Sequence, residues 1–322
     1  MNDRNTRSDA YPILYFWVFG DLHFRAHELW LPLHTPRMTC MFEDLHTLWQ
    51  EEGTPDFCVS PGDIVDTGAP ANYALAKREL AAQLDTIPFY PGIGNHEYHP
   101  ENRDDILHSA EEFRAAWEKP LRYAWTEGKA DEVICIMLEQ PYPYLPGMRS
   151  EYRHVFFPQE TLDFLDHTLN EHAHRLAIIF AHCPLRDTVL DRDPALNLDD
   201  DSQDPFFFIE NSPEVRAILA KHANAALYIS GHTHSGWGSP QLIMTEMPGQ
   251  HPVTHLNVMS PWYTGHHKGA HFNTDRTKLE YHADTPDVVV TFGIWVYHDK
   301  AIIRAREHRE QRWLKQWDVP LN

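Results

Sequence analysis

Short, nearly uninterrupted apolar runs recur along the chain, separated by longer stretches with helical spacing. The runs are YPILYFWVFGD (11–21), PDFCVSPGD (55–63), IPFYPGIGNHE (87–97), EVICIMLEQ (132–140), LAIIFAHCP (176–184) and AALYISGHTHS (225–235). Continuous rather than alternating hydrophobicity predicts strands covered on both faces. MFEDLHTLWQEEG (41–53), ANYALAKRELAAQL (71–84), PQETLDFLDHTLNEH (158–172) and SPEVRAILAKHA (212–223) carry the helical period. VTHLNVMSP (253–261) reads as a further strand, and DVVVTFGIWVYHD (287–299) with AIIRARE (301–307) as a hairpin or edge pair. The order β-α-β-α-β, then β-α-β-α-β, predicts an α/β protein with a mostly parallel sheet. One domain over 1–322 is expected, with a long irregular insertion at about 185–213 and a tail from about 305. The tail segment REHREQRWLKQW (306–317) reads as a short helix docking its tryptophans.

Composition narrows the function. The net charge of −20 repels polyanions, so a nucleic-acid partner is not expected. Cys40, Cys58, Cys135 and Cys183 are scattered without a C-x-x-C pair, which disfavours a thiolate zinc site and a disulfide scaffold. The apolar run Ile13–Phe19 is too short to span a bilayer. A soluble, cytoplasmic protein with no membrane partner is expected.

The polar residues that follow the strands change the picture. Asp21-Leu22-His23, Gly62-Asp63-Ile64-Val65-Asp66, Gly94-Asn95-His96-Glu97, Ala181-His182 and Gly231-His232-Thr233-His234 each end an apolar run. In open α/β sheets ligands bind beyond the carboxyl ends of the strands, so the five clusters are expected to converge. Residues i and i+2 of an extended segment point the same way, so Asp21 with His23, and His232 with His234, can serve one site. The donors are carboxylates, imidazoles and an amide, which suits Mn, Fe, Zn, Co or Ni without choosing among them; manganese is the working expectation. Seven donors are too many for one ion with an open position and suit two ions sharing a carboxylate.

Taken in order, D-x-H, G-D-x-x-D, G-N-H-E, a lone His after an apolar strand and G-H-x-H resemble the calcineurin-like metallophosphoesterase superfamily, over residues from about 15 to 300. The resemblance implies a four-layer α/β/β/α sandwich and hydrolysis of a phosphate ester. Asp21, His23 and His234 would hold one divalent ion, Asn95, His182 and His232 the other, and Asp63 would bridge them. A hydroxide between the ions would attack phosphorus. His96 would assist the leaving group, oriented by Asp66. GDIVDTG (62–68) is similar to the small-substrate phosphodiesterase branch. Ile93 stands where protein serine/threonine phosphatases carry Arg, and Val65 or Asp66 where purple acid phosphatases carry a ligating Tyr. A small-molecule phosphodiester is therefore the expected substrate; a phosphomonoesterase and a non-catalytic scaffold are the alternatives.

Other polar residues receive plainer readings. Glu97 reads as a structural hydrogen-bond partner, Cys183 as a small core residue, and Asp199–Asp201 as a solvated face. His266, His267 and His271 read as a pocket rim or solvent loop, and Arg25 and His27 as residues near the first motif that could reach phosphate.

Overall fold

The computed structural model describes residues 11–98, 109–139, 155–189, 207–262, 271–272, 277–280 and 288–321. Its first strand, β1 (Leu14–Val18), explains the continuous apolar runs. Leu14, Phe16 and Val18 enter one hydrophobic core, while Tyr15 and Trp17 enter another on the opposite face. Such a strand has no solvent side on which to place a polar residue.

Two six-stranded sheets are built this way. The first contains β1, β2 (Phe57–Ser60), β3 (Phe89–Pro91), β12 (Val290–Val296), β13 (Lys300–Glu307) and β14 (Arg312–Pro320), in the order β14-β13-β12-β1-β2-β3. The second contains β4 (Tyr123–Glu127), β5 (Val133–Met137), β6 (Leu176–Phe180), β7 (Ala225–Ser230), β8 (Ile243–Glu246) and β9 (Val253–Asn257), in the order β4-β5-β6-β7-β9-β8. A small ribbon pairs β10 (His271–Phe272) with β11 (Leu279–Glu280).

The sheets pack face to face through Phe16, Phe57, Met137, Phe180, Ile229, Phe292 and Ile294. Helices α1 (Leu31–Glu52), α2 (Pro70–Leu84) and α3 (Ser109–Trp117) cover the outer face of the first sheet, with Met41, Leu45, Leu80 and Phe113 against Trp17 and Phe19. Helices α4 (Gln159–Glu171) and α5 (Ser212–Lys221) cover the second, with Leu165, Leu169 and Val215 against Ile136, Ile179 and Tyr228. The layers therefore run α/β/β/α, as the family resemblance implies.

Three expectations are corrected. The sheets are mixed rather than mostly parallel. Parallel pairing is confined to β1-β2-β3 and β5-β6-β7-β9, while β14-β13-β12-β1, β4-β5 and β8-β9 are antiparallel. Helix α1 begins ten residues before Met41, at Leu31, and runs through Pro36. Most consequentially, the predicted tail helix is the strand β14. A register shift opposite Ala305/Arg306 leaves Leu314 unpaired, so Trp313 and Trp317 project to opposite faces of the sheet. The bulge breaks the alternation that marks a strand, and a tryptophan spacing of four then imitates a helix. Asp199–Asp201, His266 and His267 lie outside the described residues, and His271 begins the short strand β10.

Candidate metal centre

The five polar clusters follow β1, β2 and β3 in one sheet and β6 and β7 in the other, all at carboxyl ends. Backbone bonds tie the loops together: Phe19 N–H donates to Val59 O at 2.9 Å, His23 N–H to Asp63 O at 3.0 Å, and Gly231 N–H to His182 O at 2.9 Å. Glu97 is buried and joins the second and third clusters. Its Oε2 accepts from the N–H groups of Asp63 (2.9 Å) and Gly94 (2.7 Å), and its Oε1 from Val65 (3.0 Å). This is the structural role read from the sequence. Burial and the Asp63 charge push Glu97 up to about 7, against the pull of these N–H groups.

Four of the clustered residues, His23 (φ 49°), Asp63 (φ 53°), His232 (φ 72°) and His234 (φ 50°), occupy the left-handed region. That conformation costs roughly 1 kcal/mol or more per non-glycine residue and concentrates at functional sites. Gly94 is required for a different reason. A Cβ there would lie 2.2 Å from Asp63 Oδ1 and 2.6 Å from Asp63 N. We expect Gly94→Ala to displace Asp63 and lower activity about a hundredfold or more, with reduced Mn²⁺ uptake by a protein whose circular dichroism is unchanged. Wild-type uptake and activity would show that the loop absorbs the methyl group.

Three groups of candidate ligands occur among the described residues: two meet at Asp63, and the third, His23 with Asp66 and His96, adjoins them through His23. In one of the first two, His23, Asp63 and His234 bring ligand atoms within 4.8 Å of one another; in the other, Asp63, His182 and His232 do the same. His23 Nε2 is 3.1 Å from His234 Nε2 and 3.9 Å from Asp63 Oδ2. His182 Nε2 is 2.9 Å from Asn95 Oδ1, 3.1 Å from His232 Nδ1 and 3.2 Å from Asp63 Oδ2. Asp63 Oδ1 accepts the His96 N–H at 2.9 Å, which leaves Oδ2 to face both groups.

These contacts fit bound cations. His182 Nε2 meets two oxygens and a second imidazole nitrogen, more contacts than its single proton or single lone pair can serve. Nitrogen atoms about 3 Å apart match adjacent ligands on one ion with bonds of about 2.1 Å. The His182, His96 and His23 rings hold the Asp63 carboxyl well below its usual range despite a burial penalty. Asp21 stands aside from both groups. Its two oxygens accept the His232 N–H at 3.2 and 3.1 Å, and Oδ1 lies 3.5 Å from His182 Nδ1.

His96 is the most open of the set, with 26% of its side chain exposed. Its Nδ1–H donates to the main-chain carbonyl of Asp66 at 2.8 Å. The Asp66 carboxylate, expected to make that contact, is 3.6 Å from the same nitrogen. It is bound instead by Arg25 Nη1 at 2.6 Å and lies 3.5 Å from His23 Nδ1. Burial lowers the His96 pKa, but Asp63 and Asp66 raise it on balance above the ordinary imidazole value.

Sequence reasoning missed the residues that brace these loops. Asn257, at the end of β9, donates to Gly231 O at 2.7 Å and accepts from Thr233 Oγ1 at 2.7 Å. Its signal was a polar side chain closing a buried strand. His34 of α1 donates from Nε2 to Leu22 O at 2.7 Å, between Asp21 and His23. Burial holds this ring down to about 4. A group whose folded pKa is depressed below about 6.5 stabilises the fold fully above that pH, and the contribution is lost as pH falls toward 4. Acidification over that window is expected to cost wild-type protein on the order of 3 kcal/mol more than His34→Gln, which keeps a donor but does not titrate. Parallel pH dependences of their denaturant midpoints would refute this.

The model of the calcineurin-like phosphoesterase family matches residues 14–236. The chain belongs to this family. Among solved structures, a dimetal phosphatase from Danio rerio superposes with a TM-score of 0.62 at 16% identity, covering 97% of this chain and all (100%) of that one. GAP50, described as the anchor in the inner membrane complex of Plasmodium, gives a TM-score of 0.51 at 12% identity, covering 96% of this chain and 89% of that one. At these identities the likeness is one of fold. A sequence comparison with curated proteins gives no match. The calcineurin-like phosphoesterases are a dimetal class, and this member is a phosphoric ester hydrolase whose His and Asp clusters can bind metal. Among the described residues, no helix is long and apolar enough to cross a membrane.

Proposed function

We propose that this metallophosphoesterase hydrolyses a small-molecule phosphodiester with two divalent ions, Mn²⁺ foremost. The observation that carries the two-ion reading is the pair of side-chain groups sharing Asp63. His23 and His234 are assigned to one ion, Asn95, His182 and His232 to the other, and Asp63 to both; Asp21 is placed with the first ion on the D-x-H family motif alone, since its oxygens here meet the His232 N–H and lie near His182. When bound, such ions polarise phosphoryl oxygens and make a water nucleophilic near neutral pH.

The chain's own residues then do three things. Asp63 Oδ2 sets the separation of the two groups, because its partner oxygen is anchored to the His96 N–H. The Glu97 carboxylate holds the Asp63 and Gly94 backbones together, which fixes the donors before substrate arrives. His96 keeps Nδ1–H on the Asp66 carbonyl, so it is the imidazolium form of the ring that has a proton at Nε2 to give to the leaving oxygen, a form that burial disfavours but the Asp63 and Asp66 charges favour on balance. The diester preference rests on GDIVDTG, residues 62–68, and its similarity to small-substrate phosphodiesterases. The four cysteines, scattered without a C-x-x-C pair, support a reducing, cytoplasmic setting.

The test is a paired assay. Metal-stripped protein is restored with Mn²⁺, and initial rates are compared on a chromogenic phosphodiester and its matching monoester. Faster diester hydrolysis is expected. Faster monoester hydrolysis would replace the substrate class with nucleotides or sugar phosphates, and silence on both with metal bound would favour a scaffold.

A further inference from the structure

Asp66 makes two kinds of contact, and they serve different histidines. Its main-chain carbonyl takes the Nδ1–H of His96 at 2.8 Å. One ring N–H makes one strong hydrogen bond, so the carboxylate oxygen 3.6 Å away is not needed to fix that ring. The same Oδ1 lies 3.5 Å from Nδ1 of His23, on the side of the ring away from the metal-facing donors. His23 Nε2 points at His234 Nε2 and Asp63 Oδ2, at 3.1 and 3.9 Å. For Nε2 to offer a lone pair to an ion, Nδ1 must carry the proton; the Asp66 carboxylate, 3.5 Å from that buried nitrogen and beyond hydrogen-bond length, favours the tautomer through its charge.

Arg25 completes the arrangement. Its Nη1 donates to the other carboxylate oxygen, Oδ2, at 2.6 Å, and its guanidinium lies 5.6 Å from the Trp30 ring centroid. Trp30 in turn donates from Nε1 to the main-chain oxygen of His23 at 3.1 Å. The segment that supplies His23 therefore also supplies the clamp on its supporting carboxylate.

We propose that the Asp66 carboxylate, clamped by Arg25, is the positioning group for His23 and thereby sets the affinity of the ion that His23 holds. Arg25 acts on the centre through Asp66, which differs from the phosphate contact its sequence position suggested. The inference rests on the two-ion reading above and deepens it.

Calorimetric titration of metal-stripped protein with Mn²⁺ tests it. Wild-type protein is expected to show two sites. Asp66→Asn and Arg25→Gln are each expected to weaken one site by about ten- to a hundredfold and leave the other unchanged. Arg25→Lys should recover part of the loss, since it restores a cationic donor but not the planar fork. His96→Ala should keep both sites, and raising Mn²⁺ should restore turnover to Asp66→Asn. A general loss of structure would not spare one site, and Arg25→Gln provides the test should Asp66→Asn fail to fold. Wild-type affinity at both sites in Asp66→Asn and Arg25→Gln would overturn this inference alone. Wild-type protein that takes up no Mn²⁺ would overturn the two-ion reading and this inference together.

Discussion

Asp63→Asn is expected to remove both metal sites at once and to lower phosphoester hydrolysis at least about a thousandfold. The substitution keeps the shape of the side chain. It also suits the backbone, because asparagine tolerates the left-handed conformation that Asp63 adopts at φ 53°. What it loses is the charge that both groups share. Asp63 Oδ2 lies 3.2 Å from His182 Nε2 and 3.9 Å from His23 Nε2, so one oxygen serves both groups. His234→Ala, by contrast, touches only one group and should leave one Mn²⁺ bound. Metal content after gel filtration distinguishes the two patterns. An Asp63→Asn protein that retains two ions would show that the groups do not depend on a common carboxylate.

His96→Ala is expected to behave in the opposite way, keeping both ions and losing turnover. General acid assistance is worth roughly 10²–10⁴-fold, and the loss should grow as the leaving group becomes more basic. An ester of nitrophenol needs little help with its departing oxygen, whereas an alkyl ester needs a proton. The observable is therefore the slope of log kcat against leaving-group pKa, which should steepen in the variant. The geometry behind this is the anchored Nδ1, 2.8 Å from the Asp66 carbonyl, and the partial exposure of the ring. Loss of metal from the His96→Ala protein would move His96 among the ligands and refute its assigned role.

Much of the centre was legible because its chemistry is compact in sequence. Asp21, His23, Asp63, Asn95, His182, His232 and His234 each lie within a few residues of a strand end, and all but Asn95 follow a buried strand, where polar side chains have no reason to be unless something binds them. Their convergence follows from the strands sharing one direction, β1-β2-β3 in one sheet and β5-β6-β7-β9 in the other. What was not legible depends on contacts between distant segments. Nothing local announces that the Asp66 carbonyl, and not its carboxylate, takes His96, or that Arg25 turns toward Asp66. The antiparallel flanks were hidden for a related reason. Strand β14 is half exposed and bulged at Leu314, so its pattern of polarity follows no single period.

The pairing of β1 with β12 joins Leu14–Val18 to Gly293, Ile294 and their neighbours, almost the full length of the chain apart. Every residue assigned to the metal centre lies between Asp21 and His234, so all have been synthesised before β12 exists. Until then β1, which delivers Asp21 and His23, has β2 on one flank and an open edge on the other. An unpaired apolar strand of this kind is vulnerable to wrong partners. Closing so long a loop is also slow, since its entropic cost precedes its contacts. A growing chain thus carries the proposed donors while one of the strands that aims them is still half supported, and strands made later are what secure it.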